Sequence, residues 1–246
     1  MPYMMGGFPD PRSSAEVASA YVDAGADLIE LGVPFSDPLA DGPVIHEAAT
    51  RALAEGVRLD DVLDICRSVS DRVPVVLMAY TNMILGGDGP AEFGRRARDA
   101  GAAGVIVPDL PLGEDEQVRE ALEESGLAVV PLVAPTTSPE RRTEISAVAS
   151  GFQYVVSDVG TTGERKGLPA DLERLVSEVR ESSEVPVAVG FGIGTPEQAG
   201  EVAQLADGVI IGSRLVRILA ESADTDEAVA GLRSFLVEVR ESLGRI

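Results

Sequence analysis

The sequence predicts an α/β chain folded as a single (β/α)8 TIM barrel over residues 1–246, and three observations carry that expectation. Eight short apolar runs of β type alternate with longer amphipathic segments. Most junctions between them hold Gly, Pro or a capping Ser, Thr or Asp, and 246 residues suits such a barrel as one domain. Strands separated by helices call for a parallel sheet. Periodicity alone leaves an open doubly wound sheet as the alternative.

The expected strands are residues 2–6, 27–32, 73–79, 104–107, 128–133, 152–156, 185–190 and 208–211. Between them, helices are expected at 13–24, at 50–54 with 59–69, and at 91–100, 114–125, 139–149, 170–182 and 196–205. A helix at 226–243 closes the chain, with Ala228, Val229, Leu232, Phe235, Leu236 and Val239 on one apolar face. AGADLIELG at 24–32 recurs loosely as AGAAGVIVP at 100–108 and LADGVIIG at 205–212. Each is a helix end, a tight turn and a buried strand, the joint of a repeated unit.

Composition narrows the function classes. A formal net charge of −21 argues against a nucleic-acid partner, because phosphate backbones are bound through basic surfaces. No apolar run is long enough to span a bilayer and no secretory leader is evident, so a soluble, cytoplasmic protein is expected. The single cysteine, Cys66, excludes an internal disulfide, and with the single histidine, His46, it cannot furnish a zinc site.

Chemistry concentrates in DLIELGVPFSDPLADGP at 27–43. Glu30 lies inside an apolar strand, where a carboxylate is expensive unless it is used, and Asp41 lies on the loop leaving that strand's C-terminal end. The two can face one pocket. Read from pattern alone, Glu30 is equally a rim residue paired with an Arg, and Asp37 and Asp41 are equally turn-formers. Three late stretches, Gly160 to Gly163, Gly190 to Pro196 and Ile211 to Ser213, end strands with glycine and then start helices. Ordinary turn chemistry explains one such glycine; two after consecutive strands favour a phosphate site built from backbone amides. Gly190-Phe191-Gly192-Ile193-Gly194 lacks the spacing and position of a dinucleotide fingerprint.

With Glu30 on the strand before it, the loop PFSDPLADGP at 34–43 resembles the signature of the tryptophan synthase alpha subunit family over ten consecutive residues. GFGIGTPEQ and IIGSRLV are similar to that family's phosphate-binding segments, and the resemblance extends to Pro2-Tyr3, Met78 to Asn82 and Pro108 to Pro111. It implies retro-aldol cleavage of indole-3-glycerol phosphate to indole and glyceraldehyde 3-phosphate, without a cofactor. A beta subunit is the implied partner, in an alpha2beta2 assembly. By the same resemblance, Glu30 handles the proton delivered to indole C3 and the glycerol hydroxyl proton, Asp41 the indole N–H, and Tyr154 steadies Glu30 or substrate. Gly163, Phe191, Gly192, Gly212 and Ser213 are the phosphate contacts, with Thr162 the loop threonine that meets the catalytic loop. Tyr3, Met78, Tyr80, Ile106 and Phe191 are candidate indole walls. Desolvation is expected to keep Glu30 protonated while Asp41 stays ionised.

Two departures from the family pattern stand out. Its usual helix before the first strand is not found in residues 1–246, and Asp158 replaces a cation in the loop running through Thr162, where it is expected to oppose closure. Three other readings stay open: another phosphate-binding barrel such as a sugar-phosphate isomerase, a free-standing lyase, and an allosteric activator of a beta subunit with weak lyase activity.

Overall fold

The computed structural model describes residues 1–157, 171–190 and 192–244. Its elements follow the expected alternation: β1 (Tyr3–Met5), α1 (Pro11–Asp23), β2 (Ile29–Gly32), α2 (Pro43–Ala54), α3 (Leu59–Val69), β3 (Val75–Met78), α4 (Thr81–Leu85), α5 (Pro90–Asp99), β4 (Ala102–Ile106) and α6 (Glu116–Glu124). There follow β5 (Ala128–Val130), β6 (Leu132–Val133), α7 (Pro139–Ala147), β7 (Gln153–Val156), α8 (Leu172–Ser182), β8 (Val187–Gly190), α9 (Pro196–Ala203), β9 (Gly208–Val209), α10 (Ser213–Glu221) and α11 (Thr225–Ser242). β5 and β6 form one stave interrupted at Pro131, which has no N–H to give a neighbour.

All strand pairs are parallel, β1 to β5 forming one run and β6 to β9 the other. The runs join at both seams. At the first, the Tyr154 N–H donates to the Pro131 carbonyl at 3.0 Å; at the second, the Tyr3 N–H donates to Ile211 O at 2.9 Å and the Ile211 N–H to Met1 O at 3.1 Å. The sheet closes on itself, so the chain is a barrel and not an open doubly wound sheet.

Both faces of the sheet are buried, which is why the strands read as continuous apolar runs. Alternation is nonetheless kept. In β2, Ile29 and Leu31 pack outward, whereas Glu30, with Leu28 just before the strand, faces the barrel interior with Val76, Ile106, Val130, Phe152, Tyr154, Ala188 and Ile210. The larger outer cluster joins Leu77, Val105, Val129, Val155 and Val189 to helix residues such as Val17, Tyr21, Leu63, Leu122 and Val176. Each such side chain contributes about 1.5–3 kcal/mol on burial. Most of the hydrophobic stabilisation therefore lies outside the sheet, leaving the C-terminal mouth free to hold polar groups.

Several helix limits differ from those expected, each for a local reason. α1 begins at Pro11 because the Asp10 carboxylate accepts from the Arg12 and Ser13 N–H groups, both at 3.0 Å. α2 begins at Pro43, not near Thr50: proline has no N–H to lose at the first helical position, so Pro43 opens the helix. α6 begins at Glu116 because Asp115 is left-handed, with φ 38°. α4 was not expected at all; Asp109, from the loop after β4, takes the Thr81 N–H at 2.8 Å. No helix among the described residues is long and apolar enough to cross a membrane.

Candidate active site

The site is built around the inward face of β2. Glu30 is 3% exposed, and its inward successor is Gly32. Tyr3 of β1 pairs in register with Glu30, and a Cβ on Gly32 would stand 2.3 Å from the Tyr3 hydroxyl, so glycine leaves the space that the phenol fills. The same device recurs between β7 and β8. There, a Cβ on Gly190 would stand 2.5 Å from the Tyr154 hydroxyl. Two tyrosines thus lean over the glycine of the following strand at one level of the cavity.

Asp41 enters from the loop after β2 and is nearly as buried. Its carboxylate accepts a hydrogen bond from Tyr80, whose hydroxyl in turn accepts from the Ala40 N–H at 3.1 Å. Burial pushes Asp41 up to about 6 against the opposing pull of the Tyr80 hydrogen bond and of His46. Burial, and then the neighbouring Asp41 charge, push Glu30 up to about 8. At neutral pH the pair carries one proton, on Glu30. Burial and the two carboxylates hold the Tyr3 and Tyr154 hydroxyls well above the ordinary tyrosine value, so both remain O–H groups. Glu30 Oε2 and the Tyr3 hydroxyl are buried with no hydrogen-bond partner among the described residues. Buried polar atoms of this kind gain most from a polar ligand group.

Apolar walls complete the cavity: Ile45, Met78, Ile106, Pro108, Leu132, Ile193 and Ile210. Gly192, Gly212 and Ser213 complete its lining. Gly212 precedes α10 and provides no side-chain cap, so the first amides of that helix have no acceptor within it. Gly192 has φ +86°, a conformation that side chains resist. No group of three or more His, Cys, Asp or Glu able to hold a metal occurs among the described residues.

Of the residues singled out in the sequence, Tyr3, Glu30, Asp41, Met78, Ile106, Tyr154, Gly192, Gly212 and Ser213 line this one cavity. Tyr80 stands behind Asp41 instead, 2% exposed, with its ring stacked on Phe35. Asp158, Thr162, Gly163 and Phe191 lie outside the described residues. Ala40, Ile45, Pro108, Leu132, Ile193 and Ile210 line the cavity without having been singled out. Counting in twos from an inward residue finds some of them: Pro108 follows Ile106, and Ile210 precedes Gly212.

The profile of the tryptophan synthase alpha chain family matches residues 1–242. The chain is 47% identical to the tryptophan synthase alpha chain of Synechocystis sp. over 246 residues, covering 99% of this chain and 92% of that one. It is 49% identical to that of Carboxydothermus hydrogenoformans over 219 residues, 88% of this chain and 82% of the relative. Among solved structures, Mycobacterium tuberculosis tryptophan synthase superposes with a TM-score of 0.90 at 38% identity, over 100% of this chain and 91% of that chain. A Pyrococcus furiosus tryptophan synthase α2β2 complex gives 0.89 at 36% identity, over 98% and 96%.

Proposed function

The chain belongs to the tryptophan synthase alpha chain family and is a lyase of tryptophan biosynthesis; from that premise we propose that its cavity cleaves indole-3-glycerol phosphate to indole and glyceraldehyde 3-phosphate. The observation that carries this reading is the pair of carboxyl groups, Glu30 and Asp41, buried in one cavity, where burial and the Asp41 charge raise Glu30 further than burial raises Asp41.

Retro-aldol cleavage needs a proton delivered to indole C3, a proton taken from the glycerol hydroxyl next to the breaking bond, and an offset for positive charge on the indole nitrogen. Protonated Glu30 gives its proton to C3. The charged Asp41 accepts a hydrogen bond from the ring N–H and stabilises the cation that forms. As the bond between indole C3 and the glycerol carbon breaks, that carbon becomes the aldehyde and its hydroxyl proton passes to Glu30, restoring the starting state. No electron leaves the substrate and the proton count closes. The hydroxyls of Tyr3 and Tyr154 serve as donors, and Met78, Ile106, Leu132 and Ile210 as the indole slot. The phosphate sits on the amides at Gly212 and Ser213, an arrangement that suits a chain of net charge −21.

Two results follow from this reading. Turnover should be bell-shaped in pH: it falls below about 6 as Asp41 gains a proton and loses its charge, and above about 8 as Glu30 loses the proton it must give. A plateau from pH 5 to pH 9 would contradict the assignment. Gly212→Val should raise KM by about tenfold with a smaller change in kcat, because a side chain there, beginning beside Tyr3 and Ile45, each 3.6 Å away, would occupy the space in which the phosphate is placed. Gly212 is the better probe than Gly192, where positive φ alone would strain any side chain.

We place this activity in one catalytic unit over residues 1–246, in the cytoplasm, joined to a beta subunit in an α2β2 assembly. The test is indole release from indole-3-glycerol phosphate, measured with and without a tryptophan synthase beta subunit. Release that the beta subunit stimulates is the expected result, and no release under either condition would overturn the reading.

A further inference from the structure

Several loops at the barrel mouth converge on a side chain that does not line the cavity. Tyr80 lies between β3 and α4, with its ring against Phe35, centroids 5.2 Å apart and planes 26° from parallel. Its hydroxyl accepts the Ala40 N–H at 3.1 Å and bonds to the Asp41 carboxylate, joining two consecutive loop residues through one oxygen. Tyr80 is anchored in turn from below. The N–H and hydroxyl of Thr81 donate to Asp109 Oδ1 at 2.8 and 3.0 Å, so the loop after β4 fixes the start of α4. Between these fixed points the catalytic loop is exposed: the Asp37 carboxylate accepts the neighbouring Ser36 hydroxyl at 2.6 Å, and Leu39 is 82% exposed.

We propose that Tyr80 is a positioning residue for the lyase reaction: its hydroxyl, by accepting from Ala40 and donating to Asp41, holds the loop at 34–43 so that Asp41 presents a charged carboxylate to the cavity before substrate binds. This rests on the reading of Asp41 given above. An indole wall needs an aromatic face and no hydroxyl, whereas here the ring is spent on Phe35 and the hydroxyl on the loop. The donor also favours the charged form of the group it meets. The other titratable groups around Asp41 are His46 from α2, Glu30 from β2, Tyr3 from β1 and Tyr154 from β7, while Asp109 faces Tyr80. Of these, His46 acts in the same direction as the Tyr80 hydroxyl, and a charged Glu30 opposes it.

The experiment compares wild type, Tyr80→Phe, Asp41→Asn and the double variant for indole release from indole-3-glycerol phosphate between pH 5 and 9, with rates corrected for folded fraction. Tyr80→Phe keeps the ring and removes one oxygen, so the barrel should stay folded. The expected result is a kcat about tenfold lower at pH 7, an acid limb moved up by about one pH unit, and a KM within about twofold of wild type. The double variant should be no slower than Asp41→Asn alone, because the hydroxyl works through that carboxylate. An unmoved acid limb, or a double variant slower by the full product of the two single effects, would overturn the proposal. Wild-type turnover in Asp41→Asn would instead overturn the role of Asp41 itself, so the two failures can be told apart.

Discussion

Glu30→Gln is expected to lower indole formation by about 10²- to 10⁴-fold while the barrel stays folded, the usual contribution of a positioned general acid. Glutamine matches the size of the protonated side chain but has no proton at the required acidity. Because Glu30 is buried and neutral at pH 7, the amide replaces a neutral group and leaves no buried charge unpaired. The same substitution should raise thermal stability at alkaline pH. A carboxyl whose folded pKa is raised contributes stability that is fully present below its unfolded pKa and is lost as pH rises through the folded one, here between about 4.5 and about 8. The amide does not titrate, so its Tm relative to wild type should climb from pH 6 to pH 9. Turnover within twofold of wild type would remove Glu30 from the chemistry; a Tm difference independent of pH would show that it is not neutral in the folded state.

Asp41→Asn is expected to cost about 10²-fold or more in kcat, with little change in KM. Asparagine keeps the shape and can still accept a hydrogen bond from the ring N–H. What it lacks is the charge that offsets the cation in the transition state, and an interaction made only there appears in kcat. The pH profile should change as well, because the acid limb belongs to Asp41 and should vanish with it. Should Asp41→Asn keep both its rate and its acid limb, Asp41 would be a turn residue and the limb would belong to another group.

Much of the barrel was legible because two local signals agree along the chain: apolar runs of strand length, and Gly or Pro at their ends. Glu30 stood out as the one carboxylate inside such a run, and Asp41 because the loop carrying it has a specific composition. What the sequence concealed was set by distant partners. The short helix α4 exists where Asp109, 28 positions away, takes the Thr81 N–H, and no local pattern records that bond. Pro43 read as a loop residue because proline marks both a turn and the first residue of a helix, and the burial of Ile45, Ala48, Ala49 and Ala52 against the barrel decides between them. Tyr80 read as a wall because it follows a strand end, yet its ring found Phe35 and its hydroxyl the catalytic loop. Leu132 and Ile210 looked like any other apolar strand residues. Only closure of the sheet determines that their side of it faces the cavity.

In the mechanism, one cavity holds two carboxyl groups in opposite protonation states at neutral pH. Carboxyl-carbon NMR titration of the chain, labelled at Glu and Asp, reads both groups at once, with each signal identified by its loss in Glu30→Gln or Asp41→Asn. The expected midpoints are near 8 for Glu30 and near 6 for Asp41, each shifting when the other residue is replaced, because the two titrate as a pair. A Glu30 signal that titrates in the ordinary range of about 4.3, unmoved by the loss of Asp41, would contradict the mechanism at its root.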